Sequence, residues 1–512
     1  MELLIALLPI AILLTGLIGL KMSPHKAGAL ALIAAICGGY LVFGVGIEGL
    51  AITVGKGLAL AIHVLLIIWM AVFLYNFVTE TGALSVIKGS IVSVFHDRFI
   101  QFLMLAWLFS SFLQGIAGFG VPVAIVTPIL ISLGFDPLTS ACAVLLGHSW
   151  AITFGSMGSS FLTLSLVTGL SPQLLGPWLV LFDVFAMIAT GLAVSFLYGG
   201  IKGVVKGFWL VLGISMVMSL SLYGVISAGL VSIGGLLAAL TGIVAIYLYS
   251  RLVSKDGSSV KDAAALGKKD GLTFFEAVLP YSLVVFFSLM FYLIPLGSIG
   301  LAFSFPGYST GLGVVVEAAK SYAKVKLFAH PAPIILYSSI ISIIYYSMRV
   351  KSWKRDNLPN MLRLTVKKCI GTTLSLFFLI PMALVMMDSG MIEKLAGGAA
   401  EVTGRLFPLV SPLIGVLGSF ITGSNTNSNV IFGSFQQSVA QKLAVSEQIM
   451  CAAQSIGASV GCSLGPTQVL LGTTSAKLDG KEHLVYKRIL FITLGIALIL
   501  GVLNLSLMLI VG

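Results

Sequence analysis

The sequence predicts an all-α polytopic membrane protein with about 12 transmembrane helices and two re-entrant hairpins in inverted-topology repeats. Two observations indicate this fold class. Only 9% of the 512 residues are charged and 58% are hydrophobic, which gives a mean hydropathy of +1.09. A soluble protein of this length needs far more charge on its surface. The apolar residues also form segments long enough to cross a bilayer, which takes about 20 residues each.

The apolar segments are interrupted in two places along the chain. Residues 99–170 and 405–475 are cut repeatedly by Gly, Pro, Ser, Thr and Asn. A short amphipathic surface helix is predicted over 309–327. The first segment lacks a basic leader and a small-residue cleavage site, so it is interpreted as a retained span. The predicted spans are 3–20, 27–47, 57–79, 177–198, 207–225, 226–250, 273–295, 331–348, 369–387 and 485–511.

The distribution of Lys and Arg predicts the orientation of the chain. Segment 349–368 carries seven basic residues against one acidic residue, and segment 251–270 carries five basic residues. Both are expected on the cytoplasmic side, which places the acidic segment 388–405 outside. These orientations are consistent with one another only if residues 99–170 and residues 405–475 each cross the membrane an odd number of times, in opposite directions. Such crossing is the signature of an inverted repeat.

The predicted organisation therefore has two halves joined by a cytoplasmic linker. Identities between the halves are few, and Ser111, Phe112 and Gly115 recur 308 residues later as Ser419, Phe420 and Gly423. The predicted boundaries are 1–250 for the N-terminal half, with a hairpin at about 99–135 and a broken helix at about 137–168, then 251–272 for the linker, and 273–512 for the C-terminal half, with a hairpin at about 405–442 and a broken helix at about 446–474.

Two polar stretches predict the two halves of one substrate site. Ser419–Asn429 is the most polar uncharged run in the chain, and Ser111–Pro122 holds a glycine-rich turn in a similar context. Irregular chain at membrane depth is tolerated only where it is buried in protein or lines a wet cavity. Broken helices there expose backbone N–H groups and positive helix ends, which suit a small carboxylate. The expected substrate-binding residues are Gln114, Gly115, Gly118, Phe119, Gly120, Ser149, Thr153, Ser156, Ser424, Asn425, Thr426, Asn427, Ser428, Asn429, Gln454, Ser455 and Ser459.

Ionisable side chains inside membrane spans are costly and indicate function by default. His148 lies just before the first predicted break, and histidine titrates near physiological pH. Asp183 lies several residues inside a predicted span. Both are candidates for proton coupling. Helix packing and interhelical hydrogen bonds are the alternative role for these residues and for the polar stretches.

The chain resembles the L-lactate permease family at four motifs, Phe112–Ile125, Phe154–Gly158, Gly418–Asn429 and Ala452–Gly457. The resemblance extends over nearly the whole chain in length and segment order. It implies proton-coupled uptake of L-lactate and related 2-hydroxymonocarboxylates, such as glycolate and D-lactate, across the cytoplasmic membrane. The chain is also similar to the wider ion-transporter superfamily, whose members build sites from two opposed hairpins.

Two departures from the family pattern affect the coupling step. Gln114 stands where an acidic residue is expected before the glycine-rich turn, and His148 stands where family members tend to carry Asn. A glutamine cannot take up a proton, so the usual coupling assignment does not transfer. Either His148 or Asp183 replaces it, or the coupling ion differs, and sodium is then the alternative.

Other function classes find little support in the sequence. The net charge of +11 comes from short basic loops, which indicates membrane topology and no nucleic-acid partner. The five cysteines lack metal-site or disulfide spacing, and no cofactor is expected. No nucleophile elbow or His-Glu-x-x-His motif predicts an enzyme. A monocarboxylate channel would need a continuous pore and gains nothing from inverted halves. The expected partners are a monocarboxylate, a coupling proton and the bilayer of the cell membrane, and homodimer formation stays open.

Overall fold

The computed structural model describes residues 2–20, 22–92, 97–116, 118, 120–253, 272–294, 299–349 and 357–511. These ranges are almost entirely helical, which confirms the predicted class of an all-α polytopic membrane protein. The predicted linker at 251–272 lies outside the described residues, apart from its first three residues and its last.

The described residues of the N-terminal half form ten helices. One of them, α9, contains both predicted spans 177–198 and 207–225 and is broken where Gly200 takes a φ of 59°. A π-helical segment, Met104–Phe109, lies inside α5. The helices are α1 Glu2–Leu14, α2 Pro24–Leu41, α3 Ile47–Glu80, α4 Ala83–Val92, α5 Arg98–Ile116, α6 Val121–Ser132, α7 Pro137–Gly147, α8 Gly155–Thr168, α9 Pro172–Ser227 and α10 Val231–Val253.

In the part of the C-terminal half that the structure describes, there are nine helices and four short strands. The elements are α11 Phe274–Leu293, β1 Gly300–Phe305, β2 Tyr308–Ser309, β3 Val315–Val316, β4 Ala319–Lys326, α12 Pro331–Arg349, α13 Leu358–Asp388, α14 Met391–Thr403, α15 Phe407–Thr422, α16 Asn425–Lys442, α17 Glu447–Gly461, α18 Pro466–Ser475 and α19 Glu482–Val511.

The predicted surface helix over 309–327 is wrong, because this stretch forms β-strands. Strand β1 pairs antiparallel with β4, and β2 pairs antiparallel with β3. Gly311 and Gly313 interrupt any helix here, and Gly313 adopts a left-handed φ of 83° in the turn between β2 and β3. The β-branched and aromatic residues on either side favour extended chain.

The strands cover a buried ion pair between α3 and α13. Lys56 Nζ lies 3.5 Å from Asp388 Oδ2, and Thr53 donates its hydroxyl to the same oxygen at 2.9 Å. Tyr308 of β2 reaches Thr53, with 2.6 Å between the two hydroxyl oxygens. The strands are therefore fixed to the helices by polar contacts as well as by packing.

The two halves share a pattern of helix, turn, helix and broken helix. In the first half, α5 and α6 form the helix pair, and α7 continues through the short 3₁₀ segment Ser149–Ile152 into α8. In the second half, α15 and α16 form the pair, and α17 continues through Cys462–Leu464 into α18. Re-entrant insertion of the two pairs and their inverted topology stay predictions.

Two hydrophobic cores divide the helices. One core joins α1, α2, α13, α14 and most of α3, while the other contains α5 to α10, α15, α17 and α19. Within the described ranges, nine helices are long and apolar enough to cross a membrane. Exposed apolar side chains such as Trp209, Leu220 and Phe491 lie on the outside of these helices. These helices indicate a multi-pass membrane protein.

Candidate functional site

A cavity of about 570 Å³ lies between α13 and the turns and breaks of the two halves. Its lining contains no carboxylate side chain among the described residues. One wall comes from α13 and the start of α2, and the opposite wall comes from both halves. The polar residues of that opposite wall are Gln114, His148, Ser156, Ser159 and Ser160 from the first half, and Thr422, Ser424, Asn425, Thr426, Asn427, Thr467 and Gln468 from the second.

The structure brings seven of the predicted site residues to this cavity. They are Gln114, His148, Ser156, Ser424, Asn425, Thr426 and Asn427. Phe119 lies outside the described residues. The predicted residues that do not line the cavity are Gly115, Gly118, Gly120, Ser149, Thr153, Asp183, Ser428, Asn429, Gln454, Ser455 and Ser459.

The turn of the second half positions a helix N-terminus at the cavity. Gly423 takes a left-handed φ of 69°, which reverses the chain after α15. Ser424 then caps α16, because its hydroxyl accepts the backbone N–H of Asn427 at 3.3 Å. The first turn of α16 therefore begins at the cavity wall, where the partial positive charge of a helix N-terminus favours an anion.

Side chains of this first turn bridge the two halves. Asn425 donates its amide N–H to Thr153 Oγ1 at 2.9 Å. The hydroxyl oxygens of Thr426 and Ser160 lie 2.8 Å apart. These bonds fix the orientation of the cavity wall and leave Asn427 without a comparable side-chain bond among the described residues.

A second layer of polar residues supports that wall from behind. Asn429 donates to Ser160 O and to Ser455 Oγ, each at 3.0 Å. Ser428 donates to Gly415 O at 3.0 Å, and Gln454 donates to the Ser428 hydroxyl at 3.2 Å. The side chains of Ser428, Asn429, Gln454 and Ser455 are all buried. The bonds of Ser428 and Gln454 join α15, α16 and α17 within the second half, and Asn429 joins α16 to Ser160 of the first half. These contacts fit the packing alternative for these predicted site residues.

Ser459 ties the two broken helices together. Its hydroxyl donates to Ser149 O at 2.6 Å and accepts the backbone N–H of Thr153 at 3.1 Å. Ser149 turns its own hydroxyl back onto Leu146 O at 2.8 Å. These serines therefore satisfy backbone groups that the 3₁₀ segment leaves without helical partners.

The turn of the first half relies on backbone more than on side chains. Gly118 donates its N–H to Ser156 Oγ at 2.8 Å, which joins the turn to the break. Gly120 takes a left-handed φ of 80° at the start of α6, with no side-chain cap. Gly115 lies against the backbone of Leu236, where a side chain would collide. The glycines therefore permit close packing, and Gln114 is the side chain that reaches the cavity.

The break in the first half contains three consecutive left-handed residues. Ser156, Met157 and Gly158 have φ values of 47°, 56° and 74°. Left-handed backbone costs a non-glycine residue roughly 1–2 kcal/mol, and such conformations persist only where the surroundings hold them. The conformation carries the Ser156 hydroxyl to both the cavity and Gly118.

The two candidates for proton coupling occupy different places. His148 lines the cavity and donates its Nδ1–H to Val144 O at 2.5 Å, so Nε2 is the nitrogen left for a ligand or proton. Asp183 is fully buried on α9, and neither carboxylate oxygen has a hydrogen-bond partner among the described residues. The geometry therefore favours His148 for contact with the cavity contents.

Sequence reasoning missed the wall formed by α13. Lys368, Gly371, Thr372 and Ser375 all line the cavity, together with Lys367. Their spacing of three and four residues places them on one face of a helix. This polar stripe in an otherwise apolar span was the signal that could have identified them.

Three amide oxygens at the cavity have no donor in the described part of the chain. They belong to Asn425, Asn427 and Gln468. A buried acceptor without a donor costs free energy that a bound ligand could recover. No three His, Cys, Asp or Glu side chains of the described residues are grouped so that they could hold a metal ion.

Comparisons with known proteins identify the family to which this chain is similar. A family model described as L-lactate permease matches residues 2–511. The L-lactate permease of Streptococcus iniae is 33% identical over 399 residues, covering 76% of this chain and 80% of that protein. The glycolate permease GlcA of Escherichia coli K12 is 27% identical, covering 98% and 95%. The crystal structure of the Alcanivorax borkumensis YdaH transporter aligns with a TM-score of 0.46 at 14% identity, covering 90% and 89%.

Proposed function

This chain belongs to the L-lactate permease family, and we propose that it is a secondary carrier for L-lactate and related 2-hydroxymonocarboxylates. Glycolate and D-lactate are the related substrates, and a proton is the coupling ion. The relatives are named L-lactate permease and glycolate permease, and these names support a role in transport and not in catalysis.

The polarity of the cavity wall is the observation that carries the proposal. A 2-hydroxy acid needs hydrogen-bond donors for its carboxylate and an acceptor for its hydroxyl. The first turn of α16 offers the positive end of a helix, and Asn427 and Gln468 offer amide oxygens without donors in the described residues. These groups line the same cavity, so the carboxylate and the adjacent hydroxyl of a 2-hydroxy acid could both find partners there.

Proton coupling follows from the electrical cost of moving an anion. Carrying lactate inward against a negative interior costs about 2.3 kcal/mol per 100 mV, and one accompanying proton makes the step electroneutral. Gln114 lines the cavity but cannot titrate, so His148 is assigned the proton. Bound lactate and a protonated His148 would attract each other, and each would then tighten the binding of the other.

Uptake into proteoliposomes tests the carrier and its coupling ion. Labelled lactate is offered under a proton gradient alone and then under a sodium gradient alone. Accumulation driven only by the proton gradient is expected. The alternative is a sodium-coupled carboxylate symporter, since amide oxygens also suit a hard cation, and accumulation driven only by sodium would establish it. Preloaded lactate should accelerate uptake of labelled lactate, whereas a monocarboxylate channel shows no such exchange.

The substitution His148→Gln tests the assignment of the proton. We expect loss of accumulation driven by a pH gradient, with lactate exchange retained because exchange needs no net proton movement. The pH dependence of lactate affinity should also become flatter. His483→Gln is the matched control, because His483 is exposed and does not line the cavity. Normal accumulation by His148→Gln would transfer the assignment to Asp183.

A further inference from the structure

We propose that Lys368 is a second carboxylate-binding point, at the mouth of the cavity. A monocarboxylate would be held there on its way to or from the α16 site, by which we mean the first turn of α16 with Asn425, Thr426 and Asn427. The proposal deepens the proposed function and rests on it. Lys368 lines the cavity together with Thr372 and Ser375 of the same helix. A helix rises 1.5 Å per residue, so Lys368 lies about 10 Å along α13 from Ser375.

Neutral partners hold the Lys368 ammonium in place. Its Nζ donates to Asn76 Oδ1 at 2.7 Å, and the Tyr75 ring centroid lies 4.6 Å away. Asn76 is buried, and its Nδ2 donates to Thr365 Oγ1 at 2.8 Å, which turns the amide oxygen toward the lysine. An ammonium has three N–H donors, so capacity remains for an anionic acceptor.

The Lys368 ammonium has no carboxylate in direct contact among the described residues, although the charge of Glu80 acts on it from a greater distance. Within the described residues, four lysines have a carboxylate within 4.0 Å, and Lys368 is not one of them. The buried Lys56 shows the contrast, because it is paired with Asp388. A cation held by an amide and a ring is suited to attract an anion when, as here, no carboxylate of the described residues lines the cavity beside it.

Lys368 and the first turn of α16, which carries Asn425, Thr426 and Asn427, line the same cavity. Gly371 lies between Lys368 and Ser375, and a side chain placed at Gly371 would meet nothing within 4 Å among the described residues. Lys368 also borders a second cavity of about 260 Å³, which is lined by Tyr75, Gly120 and Leu471. The ammonium therefore stands where the two cavities meet, beside the turn of the first half.

Exchange kinetics measured separately on each face test the proposal. The full-length chain is reconstituted in zwitterionic vesicles with its orientation determined, and the KM for lactate is measured on both faces. Lys368→Gln should raise the KM about tenfold on the face where the cavity opens, since a charged hydrogen bond is lost. The KM on the other face should stay within about twofold of wild type, and Lys368→Arg should restore most of the loss.

Matched controls separate a specific site from general surface charge. Arg363→Gln removes one positive charge from an exposed position of the same helix that does not line the cavity, so its KM should be unchanged. Added salt should raise the KM of wild type more than that of Lys368→Gln. An unchanged KM on both faces in Lys368→Gln would overturn the proposal. An effect that appears only in vesicles with anionic lipid would also overturn it, because the ligand would then be a lipid headgroup.

A measurement on the wild-type chain covers the case in which Lys368→Gln does not fold. An amine-reactive reagent is applied with and without lactate, and modification is followed by mass spectrometry. Lactate should slow modification of Lys368 but not of Lys487, which is exposed on α19. Equal modification of Lys368 in both conditions would contradict the proposal. Absence of lactate exchange in wild type would instead reject the proposed function, so the two failures are distinguishable.

Discussion

The first half and the second half of the protein share the same helix packing but differ in the turns and breaks that this packing holds. In both halves a glycine of the broken helix lies against the backbone of the first hairpin helix. A side chain at Gly147 would overlap Ala106 O, and a side chain at Gly457 would overlap Pro412 O. The close approach of α7 to α5 is therefore repeated between α17 and α15.

The turns of the two halves differ in what they offer to the cavity. The second turn carries amide and hydroxyl side chains, and Ser424 caps its returning helix. The first turn carries glycines, its returning helix has no side-chain cap, and Gly118 depends on Ser156. The second turn therefore presents polar side chains to the cavity, while the first turn consists mainly of closely packed backbone, with Gln114 as its side chain at the cavity.

The breaks differ in backbone conformation as well. Ser156, Met157 and Gly158 are all left-handed, whereas Gly465 in the second half has a φ of −56° and is followed by proline. The first break is the strained one, and it is adjacent to the titratable His148 in the same chain segment. Backbone strain therefore belongs to the first half, where we propose that the proton binds, and the amide groups proposed to bind the carboxylate belong to the second half.

Opposite insertion of the two hairpins has the largest expected effect, because the outcome is all or none. Ser132→Cys and Gln441→Cys place a thiol in the last turn of α6 and of α16, at exposed positions. An impermeant thiol reagent should label Ser132→Cys only from inside and Gln441→Cys only from outside. Cys37 is exposed and is replaced by serine in both variants. Labelling of both from one face would refute the inverted repeat.

Equivalent helix packing in the two halves is the next largest effect. Gly147→Ala and Gly457→Ala should each destabilise the protein toward the upper end of about 1–3 kcal/mol, because the added methyl group meets backbone that cannot turn away. Thermal unfolding in detergent measures the loss as a lower Tm. Gly213→Ala is the control, since a methyl there meets nothing within 4 Å among the described residues. A tolerated substitution in one half only would show that the two interfaces are not equivalent.

The smallest effect is expected from the proposal that side chains of the second half bind the substrate. Asn427→Ala should weaken lactate binding by about 1–3 kcal/mol, roughly 5- to 150-fold, through loss of a buried polar partner. Asn425→Ala should weaken binding similarly and also loosen Thr153. Ser156→Ala in the first half should change affinity less, because its hydroxyl accepts from Gly118. Titration calorimetry on purified variants checks the order, and a larger loss for Ser156→Ala would reverse the comparison.

The sequence by itself determined the fold class, the family and the two places where helices are interrupted. Hydrocarbon cannot hydrogen-bond a bare backbone, so membrane segments are long and apolar, and their interruptions are visible as runs of Gly, Ser and Asn. The run that contains Asn425 to Asn427 reaches the cavity for this reason. Interruptions of this kind can be recognised in the sequence without knowledge of the tertiary contacts.

Only the tertiary structure decided which polar residues face the cavity and which face a neighbouring helix. Asn427 and Asn429 are two residues apart, yet one lines the cavity and the other bonds Ser160 and Ser455. Lys368 lies at the end of a basic segment, for which the sequence indicates only a role in membrane topology. The packing of α13 opposite the turns of the two halves is what places Lys368 at the cavity. Composition and spacing record how much polarity a segment carries, whereas the partner of each side chain is set by helix rotation and packing.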